Sequence, residues 1–466
     1  MPIRDGEGNR VAQIAMLLDS AAEKRTFYKM VMGLALPIIG RNLVDALGAL
    51  VGLMMAGSVN QNAMAAVSLA ANIQFLLSLV YYGLATGMTL LGAQYWGRGD
   101  VRTIEKIFAI ALRVALSAAA VVALASVMMP AQLMDIFSTD ATLIEDGAVY
   151  LRIIAPAFLC IAFTEMYLNI MRSMERVKLA PKVYFVSFLV NIALNFLFVM
   201  KMGMGITGVA LAMLLSRALE CAICLNCARM DRCFHVRMAD LLGRHGVLTK
   251  DYLRYTLPAV GNDMAWGIGF TMYSVIIGRL STDAIAAYSI AGVARKLGTV
   301  MCYSLSSAMS IIVGKALGAG QMDAAQLYVR RMLKLIIGSA LFGGLIIYVS
   351  DPLFEHITKL TVTADGYLRQ MMLVNMYYVL GQAVNNALVT GILRPGGDTR
   401  FGFVCDTIML WAVMVPLGLV MAFVLKLPVM LVFFVLYLDE FIKMPFFVHH
   451  YRQRGWLRNI TRETLT

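Results

Sequence analysis

Charged side chains interrupt a few long apolar runs of the chain, and these residues are the ones best placed to do chemistry. Asp263 follows Asn262 in the apolar stretch after Pro258. A charge at the centre of a bilayer-spanning helix costs roughly 2.5–3.5 kcal/mol, so such residues usually face a cavity or a partner. Because burial disfavours the ionised form of a carboxyl, Asp263 is predicted to hold a proton in one state and a cation or substrate in another, with Asn262 beside it as a substrate contact. The alternative is a structural ion pair.

Arg41 and Asp45 form a second pair of charges, one helical turn apart in the first apolar run. At this spacing both side chains lie on the same helix face. The pattern predicts one of two arrangements. Either the pair neutralises itself, or Asp45 exchanges a coupling ion or proton while Arg41 tunes it and contacts substrate.

Arg295 and Lys296 are two adjacent cations in a later apolar run. Neighbouring residues point in different directions from a helix, so at least one of the two is predicted to face a cavity or an acid. That acid would be a group such as Asp263. A cavity lined by these cations would instead accept anionic or zwitterionic compounds.

Uncharged side chains complete the predicted binding site. Trp266 lies about one turn after Asp263, and Tyr273 follows on the same run; both rings offer a face to an organic cation. Three amides in apolar runs are further candidates for substrate binding: Asn72, Asn191 and Asn195. The last two are one turn apart and suit hydrogen bonds between helices as well as they suit binding.

Motifs for covalent or metal chemistry are missing from the sequence. It contains no Ser-His-Asp set, phosphate-binding loop or zinc-protease motif, which predicts a protein that is not an enzyme and uses neither ATP nor a cofactor. Cys221, Cys224 and Cys227 have a spacing close to that of an iron–sulfur loop. They end an apolar run, however, so they are predicted to be buried small residues and not metal ligands.

The overall composition shows what must surround these charges. Hydrophobic residues make up 60% of the 466 residues and charged residues only 15%, against roughly 45–50% and 25% in soluble chains. The mean hydropathy is +0.74. An all-α integral membrane protein with the lipid bilayer as partner is therefore predicted. The formal net charge of +12 lies mainly in short loops, so nucleic acid is not an expected partner.

Twelve apolar runs are long enough to cross a bilayer, since about 20 residues suffice for a helix. An amphipathic helix is predicted before the first, from about Asn9 to Met30. The predicted spans lie near 33–57, 63–93, 106–128, 143–170, 180–200, 207–228, 251–278, 284–314, 330–350, 362–392, 400–425 and 428–450.

The two halves of the chain repeat each other. Leu36-Pro37 recurs as Leu257-Pro258, and Gly97-Arg98-Gly99 recurs as Gly318-Ala319-Gly320, both at a shift of 221 residues. Parallel repeats are typical of transporters. The repeat predicts two six-helix bundles related by a pseudo-two-fold axis along the membrane normal.

The predicted domains follow from the longest loop, which lies in the middle of the chain. They are an N-terminal lobe at 1–228, a cytoplasmic linker at 229–250 and a C-terminal lobe with a cytoplasmic tail at 251–466. Most of the 40 basic residues fall in loops on one side, so both termini are predicted to be cytoplasmic. We expect a monomer in a bacterial inner membrane.

Short stretches spread along the chain resemble the multidrug and toxic compound extrusion (MATE) transporters. They are LALP at 34–37, AQYWGRGD at 93–100, YLRI at 150–153, NIALNFLF at 191–198, LPAVGNDMAWGIGFTMY at 257–273, GILRPGGDTRF at 391–401, W-x4-P at 411–416 and DEFIK with YRQRGW within 439–456. The resemblance covers nearly the whole length. It implies a V-shaped pair of six-helix bundles that alternate access and export organic cations in exchange for protons or sodium.

The chain also departs from the family pattern. Many relatives have an Asp near the end of the first helix, where this chain has Gly52, and one branch has N-x3-D in the fifth helix, where Asn191 and Asn195 stand here. Close relatives have Asn-Glu in the seventh helix, and Asn262-Asp263 keeps that carboxylate on a shorter side chain. The resemblance therefore implies coupling through Asp263, with protons slightly favoured over sodium.

Two functions remain open from the sequence. The first is a multidrug exporter that moves amphiphilic, organic cations by ion antiport. The alternative is a flippase or exporter of anionic, zwitterionic or lipid-linked substrates, for which Arg41, Arg295 and Lys296 would supply the positive cavity. Lipid-linked glycan flippases often have fourteen spans, which favours the first.

Overall fold

A computed structural model describes the backbone of residues 21–59, 61–138, 140–243, 245–357 and 360–462. Within these ranges, the surroundings of the side chains are described for all residues except 21–23, 45–47, 49–62, 64 and 351–357. Every regular element in these ranges is a helix. The predicted amphipathic helix falls partly outside them, since only its residues from Ala21 onward are described. Those residues are the start of the first long helix.

Twelve helical rods run through the described residues. Their bounds are α1 Ala21–Val59, α2 Gln61–Arg98, α3 Val101–Met128, α4 Ala141–Ser173, α5 Leu179–Asn195 continued by a π-helix at Phe196–Lys201, α6 Gly205–Met230, α7 Gly246–Leu280, α8 Thr282–Gly318, α9 Met322–Ile357, α10 Val362–Asn386 continued by a π-helix at Ala387–Leu393, α11 Thr399–Thr407 continued through Ile408–Met414, Val415–Leu419 and Val420–Val424, and α12 Val429–Leu436 with Asp439–Arg452. The predicted number of spans is confirmed.

Nine of these rods are long and apolar enough to cross a membrane on length and composition alone, counted over the described residues. The other three are α7, α10 and α12. Helix α12 is divided at residues 437–438 into two short pieces. Helices α7 and α10 contain a higher share of polar residues, and α7 has Asp263 at its centre. All three of these helices lie in the second half of the chain.

The repeated sequence motifs occupy matching places in the helices. Both Leu-Pro pairs lie inside helices, with Pro37 in α1 and Pro258 in α7. Helix α2 ends next to Gly99, which has a φ of 83°, and α8 ends before Gly320, which has a φ of 74°. A left-handed residue after a helix strongly favours glycine, which explains why glycine recurs at both ends.

Loop side chains cap several helices. The Asp140 carboxylate accepts hydrogen bonds from the amide (2.9 Å) and hydroxyl (2.8 Å) of Thr142 at the start of α4. These bonds hold the pKa of the exposed Asp140 carboxyl below its usual range. Ser281 caps α8 in the same way, by accepting from the amide of Ala284. Such caps satisfy backbone donors that a helix leaves free.

The described residues form two compact units. One, called the C-unit, contains the described residues up to Ile39 together with Ala265–Thr461, and the other, the N-unit, contains Gly40–Met264 together with Arg462. The unit boundaries therefore lie inside α1 and α7, and α7 itself begins at Gly246, within the predicted linker. The domain bounds inferred from the loop stay a prediction.

Close backbone approach joins α2 to the first half of α7 within the N-unit. A Cβ atom at Gly83 would lie 2.4 Å from the Cα of Val260. The Tyr252 hydroxyl donates to the carbonyl of Leu84 at 2.9 Å. The first half of α7 belongs to the N-unit because the missing side chain at Gly83 lets the two helices pack this closely.

Ion pairs fasten the segment between α6 and α7 to the same unit. Arg102 on α3 donates to both carboxylate oxygens of Asp240, at 2.5 and 2.8 Å. Asp240 lies in a short helix, Met238–Leu242. The backbone amide of His235 donates to Glu105 on α3 at 2.8 Å. A two-point guanidinium–carboxylate contact of this kind gives geometric specificity as well as energy.

In the C-unit, the first part of α1 packs against α9. The ring of Phe27 stacks on Tyr328 with centroids 5.4 Å apart, and the guanidinium of Arg331 lies 5.5 Å from the Phe27 ring. Helices α8 and α9 approach through Gly298 and Gly343, where a Cβ on Gly343 would lie 2.2 Å from the Gly298 oxygen.

Gly83→Ala is expected to destabilise the protein by roughly 1–3 kcal/mol, because the added methyl overlaps the α7 backbone and forces a shift. The effect should appear as a lower unfolding temperature of the detergent-purified protein. Gly292→Ala is the matched control, since nothing lies within 4 Å of a Cβ there. Equal unfolding temperatures for the two variants would contradict the close packing.

Candidate functional site

A charged network lies between α1, α4 and α5 in the N-unit. Arg41 Nη2 lies 2.9 Å from Glu165 Oε1, and the two side chains are only 13% and 14% exposed. The Tyr184 hydroxyl donates to the same oxygen at 2.6 Å, and the Arg41 guanidinium lies 5.0 Å from the Tyr184 ring. A cation, an anion, a hydroxyl and an aromatic face therefore meet at one point.

The network continues one turn along α4 towards a second cation. Asn169 Nδ2 donates to the Glu165 carbonyl at 2.7 Å and to Glu165 Oε2 at 3.1 Å. Arg172 Nη2 donates to Asn169 Oδ1 at 2.5 Å. The Nε of Arg172 is buried and has no hydrogen-bond partner among the described residues. Two guanidinium groups thus share one carboxylate through an amide.

This network adds a partner of Arg41 that was not predicted. Its carboxylate partner here is Glu165 on another helix, which the linear spacing of Arg41 and Asp45 gave no reason to expect. The side chain of Asp45 lies outside the described residues, so its predicted coupling role stays untested. Glu165 was not among the predicted site residues.

The candidate asparagines form hydrogen bonds within the N-unit. Asn195 Nδ2 donates to the carbonyl (2.9 Å) and Oδ1 (3.1 Å) of Asn191, whose Nδ2 donates to Ser216 Oγ on α6 at 3.2 Å. Both of these amides therefore take part in packing α5 against α6. Asn72 is exposed on α2. Their predicted roles in substrate binding remain predictions.

Asn262 and Asp263 lie at the centre of α7, in the last turn that belongs to the N-unit. Asn262 is buried, with 5% of its surface exposed, and Asp263 is half-buried. Both residues have polar interactions of their own.

An aromatic box encloses Arg295 in the C-unit. Its guanidinium carbon lies 4.7 Å from the ring centre of Phe270, 5.3 Å from Tyr437 and 5.8 Å from Tyr378. Its Nη1 donates to the Tyr437 hydroxyl at 2.6 Å. Trp266 continues the box, with its ring 4.5 Å from that of Phe270.

Two other predicted site residues, Tyr273 and Lys296, are placed by the same geometry. Tyr273 is fully buried against Phe270, and its hydroxyl lacks a hydrogen-bond partner within the described ranges. Lys296 is exposed, so only Arg295 of the two adjacent cations enters the box. Arg295 forms no ion pair with a carboxylate in the part of the chain that the structure describes. Its main contacts are aromatic faces and a hydroxyl.

A buried group of acids surrounds Lys443 of α12. Its Nζ lies 3.0 Å from Asp406 on α11, 3.1 Å from Glu440 and 3.9 Å from Asp439. Asp439, Glu440 and Lys443 are only 2%, 3% and 5% exposed. Asn385 of α10 donates to the Glu440 carbonyl at 2.6 Å and to its Oε2 at 2.7 Å.

The helices around this acidic group are irregular. The π-helical segment of α10, Ala387–Leu393, begins two residues after Asn385, and that of α11, Ile408–Met414, begins two residues after Asp406. Such widened turns occur frequently at functional sites. The Tyr378 hydroxyl, 3.5 Å from Glu440 Oε1, joins the acidic group to the Arg295 box.

Asp439, Glu440 and Lys443 lie within five residues of one another on α12, whereas Asn385 and Asp406 join them from other helices. The five residues come from three successive helices, α10, α11 and α12. The only signal in the sequence was the presence of polar residues in otherwise apolar runs. In the described residues, no group of three or more His, Cys, Asp or Glu side chains is arranged to hold a metal ion.

Glu165→Gln is expected to lower the stability by roughly 3–5 kcal/mol, because it removes the carboxylate partner of a buried guanidinium. Combining it with Arg41→Met should recover much of the loss, since both charges are then gone. Thermal unfolding in detergent would measure both effects. The control is Glu145→Gln, which makes the same change at an exposed position of α4. A double variant no more stable than Glu165→Gln would contradict the pairing.

Comparisons with known proteins agree with this architecture. The MatE family model matches residues 37–197 and 258–420. "Probable multidrug resistance protein YoeA" of Bacillus subtilis is 24% identical over 460 residues, covering 96% of this chain and 98% of the relative. "Multidrug resistance protein MdtK" of Yersinia pestis is 25% identical over 406 residues, covering 84% and 86%.

Solved structures share the fold at low sequence identity. A multidrug resistance MATE family transporter of the MOP superfamily, described in an outward-facing conformation, superposes with a TM-score of 0.83 at 16% identity, covering 92% of this chain and 95% of the other. A MOP superfamily transporter from Pyrococcus furiosus gives the same values. Because the family model covers more than half of its length, this chain belongs to the MatE family of multidrug efflux transporters, as a multi-pass membrane protein of twelve helices in two bundles.

Proposed function

We propose that the protein is a secondary active exporter that moves amphiphilic organic cations out of the cell by alternating access, in exchange for protons. The observation that carries this proposal is Asp263, a half-buried carboxyl at the midpoint of α7. An ionisable group inside an apolar helix is retained against its insertion cost when it has a function. Ion exchange is the function that a carboxylate in such a position performs.

Exchange at Asp263 follows from charge. The ionised carboxylate attracts an organic cation from the cytoplasmic side, and a proton arriving from outside neutralises the carboxyl and weakens that attraction. A group that binds proton and substrate in turn couples their opposite movements. The same role is proposed for Asp45, whose sequence position in α1 is close to that of Asp263 in the repeat.

We favour protons over sodium as the coupling ion because the two ions differ in the oxygen ligands that they require. Sodium requires several oxygen ligands around one point, whereas a proton requires a single carboxyl. The acid that one branch of the family carries in the fifth helix is replaced by Asn195, which is already bonded to Asn191. Both termini are proposed to be cytoplasmic in a bacterial inner membrane, with the protein acting as a monomer.

Aromatic side chains supply the proposed substrate contacts. The ring centroids of Trp266 and Phe270 lie 4.5 Å apart in the C-unit, and Tyr273 continues the row. Rings of this kind attract organic cations without directional demands, which suits a site for many substrates. Asn262, Asn72, Asn191 and Arg41 remain proposed polar contacts to substrate.

A second candidate is favoured by Arg295. Its guanidinium lies in an aromatic box without a carboxylate partner among the described residues, and Lys296 adds an exposed cation next to it. Such a group would bind an anionic or zwitterionic headgroup, including that of a lipid-linked substrate. In the Pyrococcus furiosus transporter, reverse polarity of the binding pocket suggests a different function for that protein.

Asp263→Asn is expected to abolish proton-driven uptake of a cationic dye into proteoliposomes, because the amide cannot exchange a proton. The loss should be at least tenfold under an imposed proton gradient, with no rescue by a sodium gradient. Asp323→Asn, at an exposed position near the start of α9, is the control. Wild-type uptake driven by sodium alone would overturn proton coupling.

Arg295→Gln separates the two substrate classes. If the second candidate is correct, this variant loses transport of an anionic dye by at least tenfold, whereas cationic dye transport persists. Arg279→Gln, at an exposed position in the last turn of α7, is the control. If the wild-type protein transports the cationic dye but not the anionic dye, the second candidate function is excluded.

A further inference from the structure

The acidic group around Lys443 contains more negative than positive charge. Asp406, Asp439 and Glu440 face one ammonium group, and Asp439, Glu440 and Lys443 are at most 5% exposed. Removing a charge from water without a partner costs several kcal/mol. The group is therefore not stable with all three carboxyls ionised and only Lys443 to balance them.

The contacts distinguish the three acids. Asp406 and Glu440 lie 3.0 and 3.1 Å from the ammonium, and Glu440 also accepts from Asn385 at 2.7 Å. Asp439 lies at 3.9 Å, beyond hydrogen-bond distance. The ammonium and the amide thus stabilise the anionic forms of the first two acids, and Asp439 is the acid with the weakest support for a negative charge.

Two buried acceptor atoms beside this acid point to a missing donor. Asp439 Oδ1 accepts no hydrogen bond from the residues that the structure describes. The same holds for Oδ1 of Asn385, a residue 3% exposed whose amide nitrogen is already committed to Glu440. A buried acceptor that lacks a donor is energetically unfavourable. A proton on the carboxyl would turn an acceptor into a donor at this point.

Other titratable and charged groups surround the acids from every neighbouring helix. They are Asp406 and Cys405 on α11, Tyr377 and Tyr378 on α10, Arg295 and Tyr303 on α8, Tyr273 on α7 and Tyr437 at the break in α12. Arg295 is the one further cation of this set. With Lys443 and Arg295 there are two positive charges against three acids, so a single proton brings the set to neutrality.

We propose that the Asp439 carboxyl is a proton-binding site of the C-unit, occupied at neutral pH and exchanged during transport. The inference rests on the proposed function of ion antiport and adds a site to it. Protonation leaves Asp406 and Glu440 as the two ionised acids, both paired with Lys443, and the charge of Arg295 brings the set to neutrality. Release of the proton adds a negative charge to the acidic group, and that charge favours the binding of a cation in the C-unit.

A metal cation fits this site less well than a proton. The ammonium of Lys443 already lies among the carboxylate oxygens, at the position that a sodium ion would need. A second cation there would be repelled at short range. A proton, unlike a metal ion, needs no set of surrounding ligands, and it neutralises the Asp439 carboxylate without displacing Lys443.

Infrared difference spectroscopy of the purified full-length protein tests the proposal without requiring transport. The wild type is expected to show the C=O stretch of a protonated carboxyl at neutral pH, lost on titration to alkaline pH. Asp439→Asn should remove this band, and Asp263→Asn and the exposed control Asp323→Asn should leave it in place. Asp439→Glu should shift it, because the acid is kept on a longer side chain.

The same spectra separate this inference from the proposed function. A band that survives Asp439→Asn overturns the site even if Asp263→Asn abolishes proton-driven transport. If the band depends on Asp439 but transport is driven by a sodium gradient, the proton site at Asp439 is supported and the proposed proton coupling of transport is overturned. Since asparagine resembles the protonated acid in shape and charge, Asp439→Asn should melt within a few degrees of the wild type. A variant that cannot be obtained folded would count against the proposal.

Discussion

The cost of burying charge among apolar helices is the constraint on which the rest of this structure depends. An ionised group taken out of water is tolerated only with a partner, and removing one partner exposes the full cost. Arg41 pairs with Glu165 on α4, and Lys443 pairs with carboxylates on α11 and α12. Apolar packing favours contact without fixing which helix faces which, so these ion pairs specify the neighbours.

The two units resolve that constraint with opposite excesses of charge. In the N-unit, Arg41 and Arg172 share Glu165 through Asn169. In the C-unit, three acids surround Lys443. The two halves therefore share their helix ends and their Leu-Pro pairs but differ in their polar interiors.

Close packing by glycine is the second requirement. Gly83 lets the first half of α7 approach α2, and Gly298 with Gly343 lets α8 approach α9. These contacts bring polar groups on different helices within hydrogen-bond distance. They also explain why the unit boundary lies within α7 and not in the loop before it: the residues up to Met264 pack on N-unit helices, and those from Ala265 onward pack in the C-unit.

The sequence by itself determined the all-helical membrane fold, the twelve spans and the family. Hydropathy and repeated motifs depend only on residues that are close together in the chain, so they can be read without the tertiary structure. The sequence also singled out Arg41, Asp263 and Arg295, since a charge in an apolar run is visible without neighbours. Only the tertiary structure decided their partners. Arg41 meets Glu165 across 124 residues, Arg295 enters an aromatic box instead of meeting an acid, and Asp406 joins Lys443. Such pairings depend on helix rotation and contact between distant segments, which no spacing within a single helix encodes.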